Sequence, residues 1–185
     1  MKSGLFTIFI ILILVGCHAR SSLRKYASVL QPKLSYDTSR QTIIAYDKAG
    51  HFFDDYGYTI GNFNQQDLKT IDSLLIEAVL SHNNEQNEQK LPHRMIDFVS
   101  GKYREQLVAL TGTTKRTGKV KGMNVTWGRK GVNYAWVNCF CSRSRKVDKY
   151  WKTEIISVDD GGPCFFNLMI DLTNKKYFDM DVNGR

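Results

Sequence analysis

A histidine and two pairs of aspartates are the side chains of this sequence best suited to acid–base or metal chemistry. His51 lies close to Asp54 and Asp55, and an imidazole beside carboxylates is a combination used in proton transfer and metal binding. No second carboxylate cluster offers itself as a partner, so we interpret this segment as the solvated end of a hairpin. Asp159 and Asp160 precede two glycines without the ligand spacing of an EF-hand loop, which predicts a turn rather than a calcium site.

Three cysteines in the C-terminal part of the chain are the candidate nucleophiles and metal ligands. Cys139 and Cys141 are separated by one residue, unlike the two-residue spacing of zinc knuckles, and no histidine is close in sequence. We therefore predict no metal site and no cofactor. A nucleophilic cysteine would need a histidine brought close by the fold, and no flanking motif supports one. The candidate partners are His51, His82 and His93.

Disulfide bonding of these cysteines depends on the order of the strands. In the meander predicted below, a strand over 152–158 separates the strands that carry Cys141 and Cys164. Two strand spacings amount to about 9.6 Å, beyond the roughly 7 Å limit between the Cα atoms of a disulfide. We expect these thiols to be free and buried, unless the strand order is not a meander.

The first sixteen residues have the pattern of an export signal. Met1-Lys2 supplies a positive start, and residues 5–16 then run without a charge. A membrane-spanning helix needs about 20 apolar residues, so this shorter run is typical of the apolar region of a signal peptide.

The sequence Leu14-Val15-Gly16-Cys17 at the end of this run resembles the lipobox of bacterial lipoproteins. The resemblance implies a thioether-linked lipid on Cys17, cleavage just before it, and acylation of the new amino group. It covers only the export segment, and an ordinary signal peptide or an uncut signal anchor is the alternative. His18 follows the cysteine, where aspartate would favour retention in the inner membrane. We therefore expect anchoring in the bacterial cell envelope, at the outer membrane and facing the periplasm.

Positive charge is concentrated in one part of the chain. The full sequence carries +8, whereas residues 113–152 hold eleven basic residues and one acid, so the rest of the chain sums to −2. Such a segment favours an anionic lipid surface, lipopolysaccharide or an acidic protein as partner, and export argues against nucleic acid. The alternative is that the charge only keeps the domain soluble. The candidate binding residues are Lys115, Arg116, Lys119, Lys121, Arg129, Lys130, Arg143, Arg145, Lys146 and Lys149.

One long helix is predicted over residues 65–82. Asn64 suits the N-cap, and Asp67 completes a capping box. An apolar stripe with helical spacing follows, and it ends at His82. A polar loop is predicted over 83–90.

Strands are predicted on both sides of that helix. Residues 42–46 and 52–60 are expected to pair as a hairpin, because Asp and Gly between them suit a turn. From residue 102 onward the apolar pattern has a period of two, clearest over 163–172, where every even position from Cys164 is apolar. The predicted strands are 102–110, 120–127, 132–141, 152–158, 163–172 and 175–182.

These elements predict an α+β domain in which one long helix packs on an antiparallel meander sheet, in an order similar to cystatin-like and NTF2-like domains. In this arrangement the loops over 111–119 and 142–151 can lie at the same end of the sheet. The expected organisation is a signal peptide over 1–16, a lipidated tether over 17–40 and a single domain over 41–185. The mature part also resembles small secreted bacterial proteins, a likeness that implies no particular activity.

The favoured function is a non-enzymatic, membrane-anchored envelope lipoprotein that binds an acidic partner through basic loops. Two alternatives remain open. One is an envelope hydrolase with an unidentified site, and the other is an inhibitor or assembly subunit that binds another protein.

Overall fold

The computed structural model describes residues 37–49, 53, 56–98, 103–120, 123–141, 145–159 and 161–183. Leu34–Arg185 forms a compact unit by itself. Outside the described residues lie the predicted signal peptide with Cys17, most of the tether, and the side chains His51, Asp54, Asp55, Lys121 and Arg143.

Within that unit, eight strands, three α-helices and two 3₁₀ helices of three residues each are present among the described residues. The strands are β1 (Gln41–Ile43), β2 (Tyr58–Ile60), β3 (Arg104–Gly112), β4 (Arg116–Val120), β5 (Met123–Trp127), β6 (Asn133–Phe140), β7 (Phe165–Asp171) and β8 (Lys176–Val182). The α-helices are α1 (Tyr46–Ala49), α2 (Gln65–Glu88) and α3 (Arg145–Tyr150).

The predicted fold class is wrong, because the sheet is mixed and its strand order is not a meander. Five strands follow the order β1-β3-β6-β7-β8. The sixth strand, β2, lies on the same side of β3 as β1, where β1 pairs with the first half of β3 and β2 with the second half. β1 runs parallel to β3, and β3 pairs directly with β6 over eight residues. Residues 123–127 of the predicted strand over 120–127 form β5, which pairs with β4 in a separate two-stranded sheet, and 152–158 contains no strand. The domain is therefore mostly sheet, and among its described residues α2 is the one helix longer than six residues.

Two cores cover the two faces of the six-stranded sheet. On the face that contacts α2, here called the helix face, Leu107, Val137 and Leu168 pack with helix residues such as Ile71. On the opposite face, here called the cavity face, Val108 packs with residues that precede the helix in sequence. Those residues are Ile44, Ala49, Phe53 and Tyr58. The expected hairpin over 42–60 is therefore wrong, since β1 and β2 both pair with β3, and Ala49 and Phe53 between them pack on the cavity face.

Helix α2 begins where its sequence predicts. The Asn64 side chain accepts hydrogen bonds from the N–H groups of Gln66 (2.8 Å) and Asp67 (2.9 Å), and the Asp67 carboxylate accepts one from the Asn64 N–H. The helix continues six residues beyond the expected end. Asn83 explains part of this extension, because its amide binds the backbone N–H and C=O of Ile96 and holds the last turns against the next segment.

A disulfide joins Cys141 to Cys164, with their Cα atoms 5.1 Å apart. The expectation of free thiols fails for this pair because no strand separates β6 from β7. Phe140 pairs with Phe165 in the sheet, so the two cysteines flank one register pair. Cys139 is the free thiol among the described cysteines and is fully buried on the helix face.

We predict one free thiol in a soluble chain that begins at Ser21 and so lacks Cys17. Titration with a thiol reagent in denaturant, without reductant, should detect Cys139 alone, and prior reduction should raise the count to three. Reduction should also lower the free energy of unfolding by about 3 kcal/mol, because the bond closes a loop across a sequence separation of 23 residues. Three thiols before reduction would contradict this pairing.

Glu105 of β3 is a buried carboxyl group on the helix face. It accepts a hydrogen bond of 2.7 Å from the amide of Gln41, which also binds Asp72 of α2 at 2.9 Å. Arg40 is 4.0 Å away at the edge of this group. Burial raises the pKa of Glu105 to about 7, and the neighbouring Asp72 and Asp37 carboxylates raise it further against the opposing effects of Gln41 and Arg40.

This shift predicts a protein that loses stability as pH rises. Because Glu105 releases its proton near pH 4.5 when unfolded and near pH 7 when folded, the folded state binds more protons between those values. The free energy of unfolding should fall across that window by roughly 3 kcal/mol and then level off. Glu105→Gln should remove most of this slope and leave the smaller one due to Asp72, whose pKa burial also raises. Urea denaturation at about pH 5 and about pH 8 measures this change in the free energy of unfolding. The control is Glu77→Gln, a substitution of an exposed residue of α2. An unfolding free energy of the unsubstituted chain that did not change with pH would refute the assignment.

Candidate functional site

The basic segments leave the sheet at opposite ends. β3 and β6 are antiparallel neighbours, with Arg104 opposite Phe140 at one end and Thr111 opposite Asn133 at the other. Residues 113–132, here called the basic hairpin, connect these strands at the second end. Residues 141–152, here called the α3 segment, follow β6 at the first end, roughly 27 Å away along the strands. The expectation that the two loops share one end is therefore wrong, because it required an additional strand between them.

The basic hairpin carries six basic residues and no acidic residue. Lys115 and Lys130 are exposed. Arg116 and Lys119 lie on β4, at positions opposite Trp127 and Asn124 of β5. This hairpin therefore concentrates positive charge at one end of the domain.

Arg129 has a structural partner. Its guanidinium lies 2.9 Å from a carboxylate oxygen of Asp171, a buried residue at the end of β7. Asp171 also accepts hydrogen bonds from the backbone and side chain of Asn174. Arg129 thus ties the base of the hairpin to the β7–β8 turn, and its charge is largely matched within the fold.

Around the α3 segment, three basic side chains contact the protein itself, two from the segment and one from β3. Arg104 from β3 stacks over the Trp151 ring at 5.0 Å and lies 2.5 Å from the Asp148 carboxylate. The ammonium group of Lys152 is 5.2 Å from the same ring, and that of Lys149 is 4.7 Å from the Tyr150 ring. Trp151 is only 5% exposed and packs in a third core cluster with Phe140 and Phe165, so it is not a surface anchor. The backbone of Arg145 and Lys146 belongs to α3.

A cavity of about 390 Å³ opens on the cavity face. Its floor is formed by residues of β6, β7 and β8, and its walls come from Phe53, Tyr56 and Tyr58 on one side and from residues 155–158 on the other. Aromatic rings dominate the lining, among them Phe53, Tyr56, Trp136 and Phe178. Phe53 and Trp136 meet edge to face, with their ring centres 5.5 Å apart. The volume is within the range of small-molecule binding pockets.

Two buried amides hold the second wall in place. Gln106 and Asn138 are opposite each other on β3 and β6, and the Asn138 amide donates to the Gln106 carbonyl oxygen at 3.0 Å. Gln106 also donates to the backbone carbonyls of Trp151 and Glu154 and accepts from the N–H of Ile156. Asn138 uses its other N–H to bind the Ile156 carbonyl at 2.8 Å. These bonds replace the strand pairing expected over 152–158.

The cavity offers little for acid–base or nucleophilic catalysis. Asp179 is the one charged side chain among its described lining residues, and these include no histidine or cysteine. Cys139 faces the opposite side of the sheet, and burial raises its pKa, which keeps it a thiol. His82 binds the backbone carbonyl of Arg94 at 3.1 Å. Nowhere in the described part of the chain do three potential metal ligands cluster. No helix there has the length and apolarity needed to cross a membrane.

The residues that shape this cavity are not apparent from the sequence. Gln106, Asn138 and Asp179 are polar positions in strands, where a period of two predicts only a solvated face. Gln106 and Asn138 both lie inside predicted strands and away from their ends, which was one indication. Their pairing, however, could be predicted only with the correct strand order.

Comparison of the chain with protein-family models, with curated proteins and with solved structures finds no match.

Proposed function

We propose that this protein is a lipid-anchored, non-enzymatic protein of the bacterial envelope whose basic hairpin contacts an anionic lipid surface. The observation that carries the proposal is the concentration of six basic residues and no acid in residues 113–132, at one end of the sheet. A lysine or arginine close to an anionic membrane contributes about 1 kcal/mol, so several together make a stable contact.

The position of the chain's entry into the domain is compatible with this contact. β1 begins at Gln41 opposite Glu105, near the start of β3, whereas the hairpin follows the end of β3. Residues 18–36 can span at most about 65 Å when fully extended, more than the roughly 27 Å between the two ends of the sheet. A lipid on Cys17 would therefore allow the hairpin to reach the same membrane, at a high effective concentration.

The two alternatives receive less support from the described residues. A hydrolase needs converging catalytic groups, and the cavity presents a single carboxylate. A module that binds partners by strand addition needs an open edge, but β8 is interrupted by a bulge and carries Asp179 and Asp181. Bulges and charges on an edge strand oppose such pairing.

Charge reversal tests the hairpin directly. In a soluble chain beginning at Ser21, we expect binding to phosphatidylglycerol vesicles that weakens with salt, and none to phosphatidylcholine vesicles. Replacing Lys115, Lys119 and Lys130 with glutamate should weaken binding by at least about 100-fold, since three favourable contacts are lost. Arg129 is left intact because it binds Asp171. Co-sedimentation across a range of salt measures the effect.

The matched control reverses three charges at the other end, at Lys146, Lys149 and Lys152. This variant has the same net charge and should retain most of the binding. Equal losses in both variants would mean that only net charge matters, and a larger loss in the control would locate the contact at the α3 segment. Either result would refute the hairpin as the contact surface.

Lipidation is tested separately in the full-length chain. Cys17→Ala removes the thiol that accepts the lipid, so we expect no incorporation of labelled fatty acid and a precursor that keeps residues 1–16. Ser21→Ala, four residues further along, should be labelled and processed normally. Complete processing and labelling of the Cys17→Ala chain would contradict the lipoprotein assignment.

A further inference from the structure

The lining of the cavity presents hydrogen-bond acceptors and negative charge, although the protein as a whole is basic. We propose that the cavity on the cavity face binds an organic amine: a protonated amino group attached to an apolar or aromatic body. This site is separate from the basic hairpin and does not depend on the function proposed above.

A bulge in β8 directs a carboxylate toward the cavity. Phe178 pairs with Met169 and Asp181 with Asn167, so Asp179 and Met180 together lie opposite the single residue Leu168. Met180 packs against the core on the helix face, whereas both Phe178 and Asp179 line the cavity. Regular alternation would have turned Asp179 toward α2. The bulge therefore places a carboxylate beside an aromatic ring on the cavity side.

The bulge needs an unusual backbone conformation at Asp179. Its φ angle is 53°, in the left-handed region that residues other than glycine rarely adopt. Aspartate and asparagine tolerate this region better than most residues. Strained backbone of this kind is concentrated at functional sites, where it orients a side chain. Asp179 makes no ion pair or hydrogen bond with any part of the chain that the structure describes, so its carboxylate is available to a ligand.

The amide of Asn138 provides an acceptor deeper in the cavity. Both of its N–H groups are used, one on Gln106 and one on the Ile156 carbonyl. The Gln106 atom that faces Asn138 must be the carbonyl oxygen, because it also accepts a hydrogen bond from the N–H of Ile156. The Asn138 atom that contacts it is therefore the amide nitrogen, which fixes the orientation of the Asn138 amide. Its own carbonyl oxygen receives no hydrogen bond from the described residues, although the residue is only 6% exposed. At the rim, Asn183 likewise uses its amide nitrogen on the Val158 carbonyl.

These features together select the chemistry of the ligand. A carboxylate and an amide oxygen accept hydrogen bonds, and the faces of aromatic rings attract cations. A protonated amine donates to both acceptors and is attracted to the rings, whereas a carboxylate ligand would be repelled by Asp179. The apolar lining accommodates the body of the ligand, and a volume of about 390 Å³ limits it to a small molecule.

Three probes with one apolar body and different head groups test this inference. Phenylbutylamine, phenylbutanol and phenylbutyrate would be titrated by calorimetry into the soluble chain beginning at Ser21, which contains the compact unit. We expect the amine to bind at least roughly tenfold more tightly than the alcohol, because a charge-assisted hydrogen bond and contact with the rings are added. The carboxylate should not bind.

Substitutions on β8 locate the site. Asp179→Asn removes the negative charge, keeps the shape of the side chain and tolerates the same φ angle. It should therefore reduce amine affinity roughly tenfold and leave alcohol affinity unchanged. Asp181→Asn removes the same charge from the same strand, outside the cavity lining, and should leave both affinities unchanged. Tyr56→Ala, at an exposed rim position, should weaken binding of both the amine and the alcohol, because each loses contact with a ring of the lining.

Three results would overturn the proposal. One is equal binding of amine and alcohol, and another is undiminished amine binding by Asp179→Asn. The third is failure of all three probes to bind to a chain whose circular dichroism shows it to be folded. Vesicle binding by the basic hairpin is measured independently, so its failure would leave this result unaffected, and the reverse also holds.

Discussion

The arrangement of the domain depends on the buried amide pair formed by Gln106 and Asn138. Burying an amide without partners costs several kcal/mol, yet here the four amide N–H groups are all used. Their partners include three backbone carbonyls of the irregular segment 151–156, which has no strand of its own to supply such bonds. Two side chains thus do for this segment what a sheet neighbour does for a strand. The segment in turn covers Phe140 with Trp151 and supplies one wall of the cavity.

Local features of the sequence predicted local structure well, and non-local pairings poorly. The Asn64–Asp67 capping box and the alternation over β7 depend on neighbouring residues and were visible in the sequence. The pairing of β1 and β2 with β3 was not, because it joins residues about fifty to sixty positions apart and reverses the usual preference for sequential hairpins. One wrong strand, over 152–158, then led to two further errors. It separated Cys141 from Cys164, and it placed the two basic loops at the same end of the sheet.

The observed strand order changes how the positive charge must be interpreted. A sheet strand is a stiff spacer, so direct pairing of β3 with β6 holds the basic hairpin and the α3 segment roughly 27 Å apart. That distance exceeds the screening length of about 8 Å at physiological ionic strength, and the two segments therefore act as separate charges. The α3 segment contains one acid, Asp148, whereas the hairpin contains none. The ammonium groups of Lys149 and Lys152 also lie over the rings of Tyr150 and Trp151. Charge and geometry together leave the hairpin as the stronger candidate for an external anionic surface, a distinction that composition alone did not make.

The cavity presents a carboxylate and hydrogen-bond acceptors, whereas the hairpin presents positive charge. The requirements of a stable fold do not by themselves explain this feature of the cavity. A stable core is served by filling space with apolar side chains and by regular strands. On the cavity face, β8 departs from both rules at one position, with a left-handed aspartate in a bulge beside an open, aromatic-lined space. The position also breaks the period of two, so regular alternation along β8 does not predict that Phe178 and Asp179 lie on the same side of the sheet. Departures from local regularity that coincide with a cavity, an unmatched carboxylate and an unmatched amide oxygen are typical of binding sites. The same bulge also makes the open edge of the sheet less able to pair with another strand. A single inserted residue therefore has two effects, since it hinders strand pairing at β8 and directs a carboxylate toward a ligand.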